Sequence, residues 1–123
     1  MRKLLGVLLL VPLLASAAPS PTATQEIDHL FTYLKDSRCE FNRNSTWYTP
    51  ADAVAHLKDK YDYLLRKDRI ATAEDFIELA ATESSMSGKP YLVKCGDGAA
   101  MNSGPWFRDE LARYRQKLLS RRG

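Results

Sequence analysis

Ser84, Ser85 and Ser87 stand beside Gly88 and Lys89, directly ahead of Tyr91 and Cys95. Hydroxyls and an amine at this density suit two kinds of chemistry. A serine nucleophile needs a base within hydrogen-bond reach and a third group to orient that base. A binding nest needs only backbone N–H groups, hydroxyls and a cation around an anion or a peptide terminus. The spacing favours the second. No G-x-S-x-G elbow is present, and Ser85 precedes Lys89 by four residues, not by the three of an S-x-x-K pair. Ser87-Gly88-Lys89 alone is too short to complete a phosphate loop. The same serines have a structural use, which is to hydrogen-bond the orphan backbone groups at the end of the preceding helix.

A second group of chemically able residues is His56, Lys60 and Tyr63. Their spacing puts them on one face of a helix expected over 50–67, where they could hold an anion; a charged helix face is otherwise simply solvated. The remaining histidine, His29, falls on the polar side of the first helix and is expected to be exposed. Two isolated histidines and two cysteines make no metal-ligand set, so neither a metal nor a cofactor is expected.

The elements that must position these residues follow from periodicity. Ile27, Leu30, Phe31 and Leu34 lie at helical spacing and predict a helix over 25–36 with Thr24 as its cap. Residues 39–43 and 46–48 read as a hairpin turning at Asn44-Ser45. That register sets Phe41 opposite Tyr48 and Asn42 opposite Trp47, with Cys39, Phe41 and Tyr48 facing inward. Trp47 then lies on the outer face, either covered by another element or offered to a partner; covering is the expectation.

Thr49-Pro50-Ala51-Asp52 and Thr72-Ala73-Glu74-Asp75 are helix starts, each with an acid three residues after a threonine. The first opens the helix over 50–67, which buries Val54, Leu57, Tyr61, Leu64 and Leu65. The second opens a short helix to about residue 82 that buries Phe76, Ile77 and Ala80. Pro90 cannot donate to a ladder, so the next strand begins at Tyr91, and Tyr91, Val93 and Cys95 share a face. Residues 96–104 read as a flexible loop. A final helix from Ser103 or Pro105 presents Phe107, Leu111, Tyr114 and Leu118. The fold expected is α+β: a small antiparallel sheet, made of the hairpin and one later strand, packed by four helices.

Arg2 and Lys3, an apolar run over 4–14 and Ala15-Ser16-Ala17 form a secretory signal peptide over 1–17. The run is about half of the ~20 residues that a bilayer span requires, so no membrane anchor is expected in the mature chain. Residues 18–24 read as a disordered leader, 25–119 as one domain and 120–123 as a tail. In an oxidising compartment the two cysteines, Cys39 and Cys95, are expected to form a disulfide worth roughly 4 kcal/mol in the loop-entropy treatment. Of the formal net charge of +3, Arg2 and Lys3 supply two units, which leaves the mature chain nearly neutral and unlike a nucleic-acid binder.

Thr72-Ala73-Glu74-Asp75-Phe76-Ile77, the run from Ser84 to Tyr91, and Cys95 together resemble the YfeK-like family. Ala55-His56-Leu57 with Lys60-Tyr61 and the cysteine hairpin are similar to the first half of the same family. The resemblance covers nearly the whole mature chain. It implies a small exported protein of Gram-negative bacteria, located in the periplasm, with a domain of no established function and no catalytic residues to carry over. Ser45 departs from the pattern, since similar proteins commonly carry glycine after the asparagine.

The functional expectation is a non-catalytic binding or envelope-interaction module. Its surface would comprise Ser84, Ser85, Ser87, Gly88, Lys89, Tyr91 and Trp47, with His56, Lys60 and Tyr63 as a second patch. Its partner would be an envelope protein, a peptide or a small anionic ligand. The alternative is a small periplasmic hydrolase using a serine from the run 84–87.

Overall fold

A computed structural model describes Gly6 and residues 18–122. The signal peptide expected over 1–17 thus lies outside the described residues apart from Gly6. Among the described residues no helix is long and apolar enough to cross a membrane.

Helix α1 spans Pro21–Asp36, one turn longer at its start than the periodicity predicts. Ser20 is its N-cap, with the Ala23 N–H donating to Ser20 Oγ at 3.0 Å and Pro21 in the first turn. Serine followed by proline is a stronger start than Thr24, because the proline gives up an N–H that would be unpaired there anyway. Residues 21–24 are therefore helical, and not part of a disordered leader; Ala23 is buried against the core.

Strands β1 (Cys39–Arg43) and β2 (Thr46–Tyr48) form the expected hairpin, with Phe41 opposite Tyr48 and Asn42 opposite Trp47. Asn44 and Ser45 both take positive φ, +51° and +70°. This is the left-handed pair that a two-residue turn demands, and serine meets it at a steric cost glycine would not incur. Trp47 is 41% exposed, so the expectation that a neighbouring element covers it is corrected. Tyr48 is only half-buried.

Helices α2 (Pro50–Arg66) and α3 (Ala73–Ala80) start at the predicted caps, α3 through a full capping box between Thr72 and Asp75. Strand β3 (Leu92–Cys95) pairs antiparallel with β1, placing Cys39 opposite Cys95 and Phe41 opposite Val93. The disulfide joins that first pair. The loop expected over 96–104 contains instead a fourth strand, β4 (Met101–Asn102), which gives the sheet order β2-β1-β3-β4. A two-residue strand is invisible to periodicity and exists only because β3 offers it an edge. Helix α4 runs Ser103–Ser120; Trp106, Phe107 and Leu111 are buried, while Tyr114 and Leu118 are half-buried.

The core lies between the sheet and the helices. Phe76 of α3 sits at its centre, with ring centroids 5.1 Å from Phe31, 5.5 Å from Tyr61 and 6.4 Å from Phe107. Arg115 clamps the helices from outside, donating to both carboxylate oxygens of Glu26 at 2.7 and 2.9 Å and to those of Glu74 at 2.8 and 3.1 Å. His29 is not a free surface residue. Its Nε2 lies 2.6 Å from Glu110 Oε2 and its ring stacks on Tyr114, a second tie between α1 and α4.

Candidate functional site

The β1–β3 register builds the site. Side chains alternate across a strand, so Cys39, Phe41 and Arg43 point to the helix side of β1. Extending the pairs Cys39–Cys95 and Phe41–Val93 by one step sets Arg43 beside Tyr91. Tyr91 is held at the mouth of β3 by its own backbone: its N–H donates to Thr82 O at 3.0 Å and its carbonyl accepts from Ser103 N–H at 2.9 Å. Its ring is buried against Phe41, at 5.3 Å between centroids. Only the hydroxyl reaches the cleft.

Helix α2 crosses above this pair. Its buried residues are Ala53, Leu57, Tyr61 and Leu64, whereas Val54 and Leu65 are partly buried. The buried arc is thus turned from the predicted stripe toward Ala53 and Leu64, because α2 packs on the sheet as well as on α1 and α3. That turn carries His56 and Lys60, expected on a solvated face, into half-buried positions over Arg43 and Tyr91.

Four groups converge there. Arg43 Nη1 lies 3.2 Å from His56 Nδ1, and Arg43 Nη2 donates to Tyr48 Oη at 3.4 Å. Lys60 Nζ donates to Tyr91 Oη at 3.1 Å and to the Glu83 carbonyl at 3.0 Å. His56 Nε2 lies 3.2 Å from the same phenol oxygen. Arg43 Nη1 also lies 3.5 Å from His56 Nε2, so the guanidinium approaches both ring nitrogens, and the tautomer of His56 sets whether Nε2 donates to the phenol or accepts from it. The phenol oxygen accepts from Lys60 with either tautomer.

The electrostatics agree with this reading. Burial, then the positive charges of Arg43 and Lys60, hold the His56 pKa below its ordinary value of 6.5 and keep the ring neutral. Burial, helped by Arg43 and opposed by Glu83, lowers the Lys60 pKa. Burial raises that of Tyr91, so the phenol keeps its proton. Among the described residues neither Arg43 nor Lys60 forms an ion pair with a carboxylate. Glu83 acts on Lys60 without an ion-pair contact, and two partly desolvated cations with no ion-paired carboxylate gain from an anion that joins them.

The serine run takes the structural role. Glu83 and Pro90 bridge, Ser84 N–H donates to Lys89 O at 3.0 Å, and Gly88 N–H donates to Ser84 O at 2.9 Å. The turn they close needs the left-handed residue that Gly88 supplies at φ +71°. Ser84 is buried, and its Oγ accepts from Asn44 Nδ2 and from the N–H groups of Met86 and Ser87. Ser87 Oγ donates to Asn44 Oδ1 and accepts from Lys89 N–H. Asn44, the hairpin turn residue, thus fastens the 84–89 turn to β1. Among the described residues no serine hydroxyl bonds a histidine, and no three His, Cys, Asp or Glu side chains form a metal-ligating group.

The two patches separated in sequence therefore adjoin, as two lobes that share lining residues. The smaller lobe, about 130 Å³, is lined by Arg43, Ser84, Met86 and Tyr91. The larger lobe, about 430 Å³, is lined by Tyr63, Leu64, Arg69 and Leu79. His56, Lys60 and Ser85 belong to both. Trp47 does not join them, since it stands on the outer face of the sheet, and Gly88 and Lys89 are exposed members of the turn. Arg43 was the missed residue; strand alternation with Phe41 already marks it as an arginine pointing inward.

Residues 21–115 match the profile of DUF5329, a family of unknown function. A segment of 51 residues is 43% identical to the uncharacterized protein YfeK of Salmonella typhimurium, a match covering 42% of this chain and 41% of that protein. No solved structure matches the chain. The match to the family runs from the first turn of α1 through all four strands and into α4, and the chain belongs to the DUF5329 family, related to YfeK.

Proposed function

We propose that this protein is an exported periplasmic binding module that holds a small anion in the cleft between α2 and the 84–89 turn, without acting on it chemically. The observation that carries the reading is the convergence of Arg43, Lys60 and the Tyr91 hydroxyl on one cavity with no carboxylate paired to either cation. Fixed cations recognise negative charge by direct hydrogen bonding, and partial burial strengthens each contact relative to water. Export rests on the basic, apolar and small-residue succession of residues 1–17, and the disulfide suits an oxidising compartment.

The test is a titration of the isotope-labelled protein with acetate and with inorganic phosphate, followed by NMR. Amides around Arg43, His56, Lys60 and Tyr91 should shift together with at least one anion, and Lys60→Met should abolish the shift while the rest of the spectrum is retained. Shifts confined to the surface, or identical shifts in the Lys60→Met protein, would refute the proposal.

A further inference from the structure

The two lobes of the cleft differ in chemistry, and the difference specifies the ligand. In the smaller lobe Arg43 and Lys60 bring positive charge with no ion-paired carboxylate, and the Tyr91 hydroxyl stands between Lys60 and His56. Its volume of about 130 Å³ suits a carboxylate-sized group and little more. The larger lobe has a different character. Leu64 and Leu79 are aliphatic, and Tyr63 stands at the side with 52% of its surface exposed. The formal charges of Asp59 and Arg69, which both line that lobe, offset each other. At about 430 Å³ it falls in the size range of pockets that bury an organic molecule. His56, Lys60 and Ser85 line both lobes, so the two adjoin and a ligand long enough to pass these side chains would touch both.

Resting on the anion-binding reading above, we infer that the ligand is an amphipathic monocarboxylate: its head lies among Arg43, Lys60 and Tyr91, and its aliphatic or aromatic body lies along Leu64, Leu79 and Tyr63. Asp59 and Arg69 offset each other in the larger lobe, so those two residues together offer a second negative charge on the body no net attraction. A body without a head would leave the two cations uncompensated.

The inference is tested on the mature protein with a graded series of acetate, butanoate, hexanoate and octanoate, beside 3-phenylpropionate, inorganic phosphate and octylamine. Affinity should rise about two- to four-fold per added methylene from butanoate onward, since each buried methylene contributes a transfer free energy of that size. Octanoate or phenylpropionate should bind more tightly than phosphate, and octylamine should not bind the cleft. Tyr63→Ser, a change at an exposed position, should weaken octanoate several-fold and leave acetate unchanged. Equal affinity across the carboxylates, phosphate binding more tightly than octanoate, or octylamine matching octanoate would overturn the amphipathic ligand while leaving an anion site standing. If neither phosphate nor any carboxylate perturbs the cleft, the anion-binding reading itself fails, and this inference with it.

Discussion

Lys60 and Tyr91 are joined at 3.1 Å between the ammonium and the phenol oxygen, and this bond ties the middle of α2 to the entry of β3. The lysine also reaches the Glu83 carbonyl, so one side chain spans the helix, the end of the 84–89 turn and the sheet. His56 Nε2 lies 3.2 Å from the same oxygen, from one turn earlier in α2. The cleft is thus a rigid junction of three elements.

Tyr91→Phe removes that oxygen and keeps the ring packed on Phe41. Lys60 then loses an acceptor, and His56 a hydrogen-bond partner, at a partly desolvated position, which costs about 1–3 kcal/mol when water cannot fully replace it. A urea denaturation midpoint lower than wild type is expected, together with weaker anion binding. An unchanged midpoint with unchanged binding would mean that the phenol oxygen organises nothing.

The pH dependence follows from His56. Its folded pKa lies below 6.5, so between that pKa and 6.5 the unfolded chain binds more protons than the folded one. The stability this residue contributes is complete above pH 6.5 and falls as pH drops through that interval. The groups facing the imidazole are Arg43, Lys60 and Tyr91, with Asp59 and Asp52 on its own helix. A bound anion reverses the balance by favouring the imidazolium, so anion affinity should increase as pH falls from 7.5 to 5.5, values chosen to bracket about 6.5, the unperturbed histidine pKa. Glu74, whose pKa is lowered chiefly by its hydrogen bond to Arg115, titrates below 4.5 and outside this window. Calorimetric titration of wild type and His56→Gln checks the point: the variant should show a flat affinity profile across the window, and a profile as steep as that of wild type would remove His56 from the account.

Ser45→Gly tests the hairpin. Ser45 holds φ +70° in a turn whose geometry suits glycine. Relief of the left-handed strain, less the extra chain entropy glycine loses on folding, should leave a gain of about 0.5–1 kcal/mol. Thermal unfolding should move upward by a few degrees, whereas Ser45→Ala should give no gain. A glycine variant no more stable than alanine would show that the turn is unstrained.

Much of the frame is local, and so it can be read without coordinates. Threonine caps followed by an acid, the Asn44-Ser45 turn and the alternation of Phe41 and Val93 act over a few residues, and the disulfide is the simplest reading of a chain with two cysteines. The hairpin register, the starts of α2 and α3 and the Cys39–Cys95 pair match these signals. The misses have two origins. The first turn of α1 starts at the Ser20-Pro21 cap, a local signal that the apolar periodicity from Ile27 onward does not include. β4 needed the edge of β3, and the exposure of Trp47 depended on whether any distant element covers it, so both are settled by parts of the chain distant in sequence.

The cleft divides in the same way. Residue type and spacing alone grouped Ser84 to Tyr91 as one candidate and His56, Lys60 and Tyr63 as another, and they identified groups able to hold an anion. Folding decided that the two adjoin, that Ser84 and Ser87 are taken up in fastening a turn to Asn44, and that Arg43 supplies the second cation. The reason is geometric: hydrogen bonds and charge contacts act over a few ångströms in space, and the sheet register, not the order of the chain, brings Arg43, His56, Lys60 and Tyr91 within that distance.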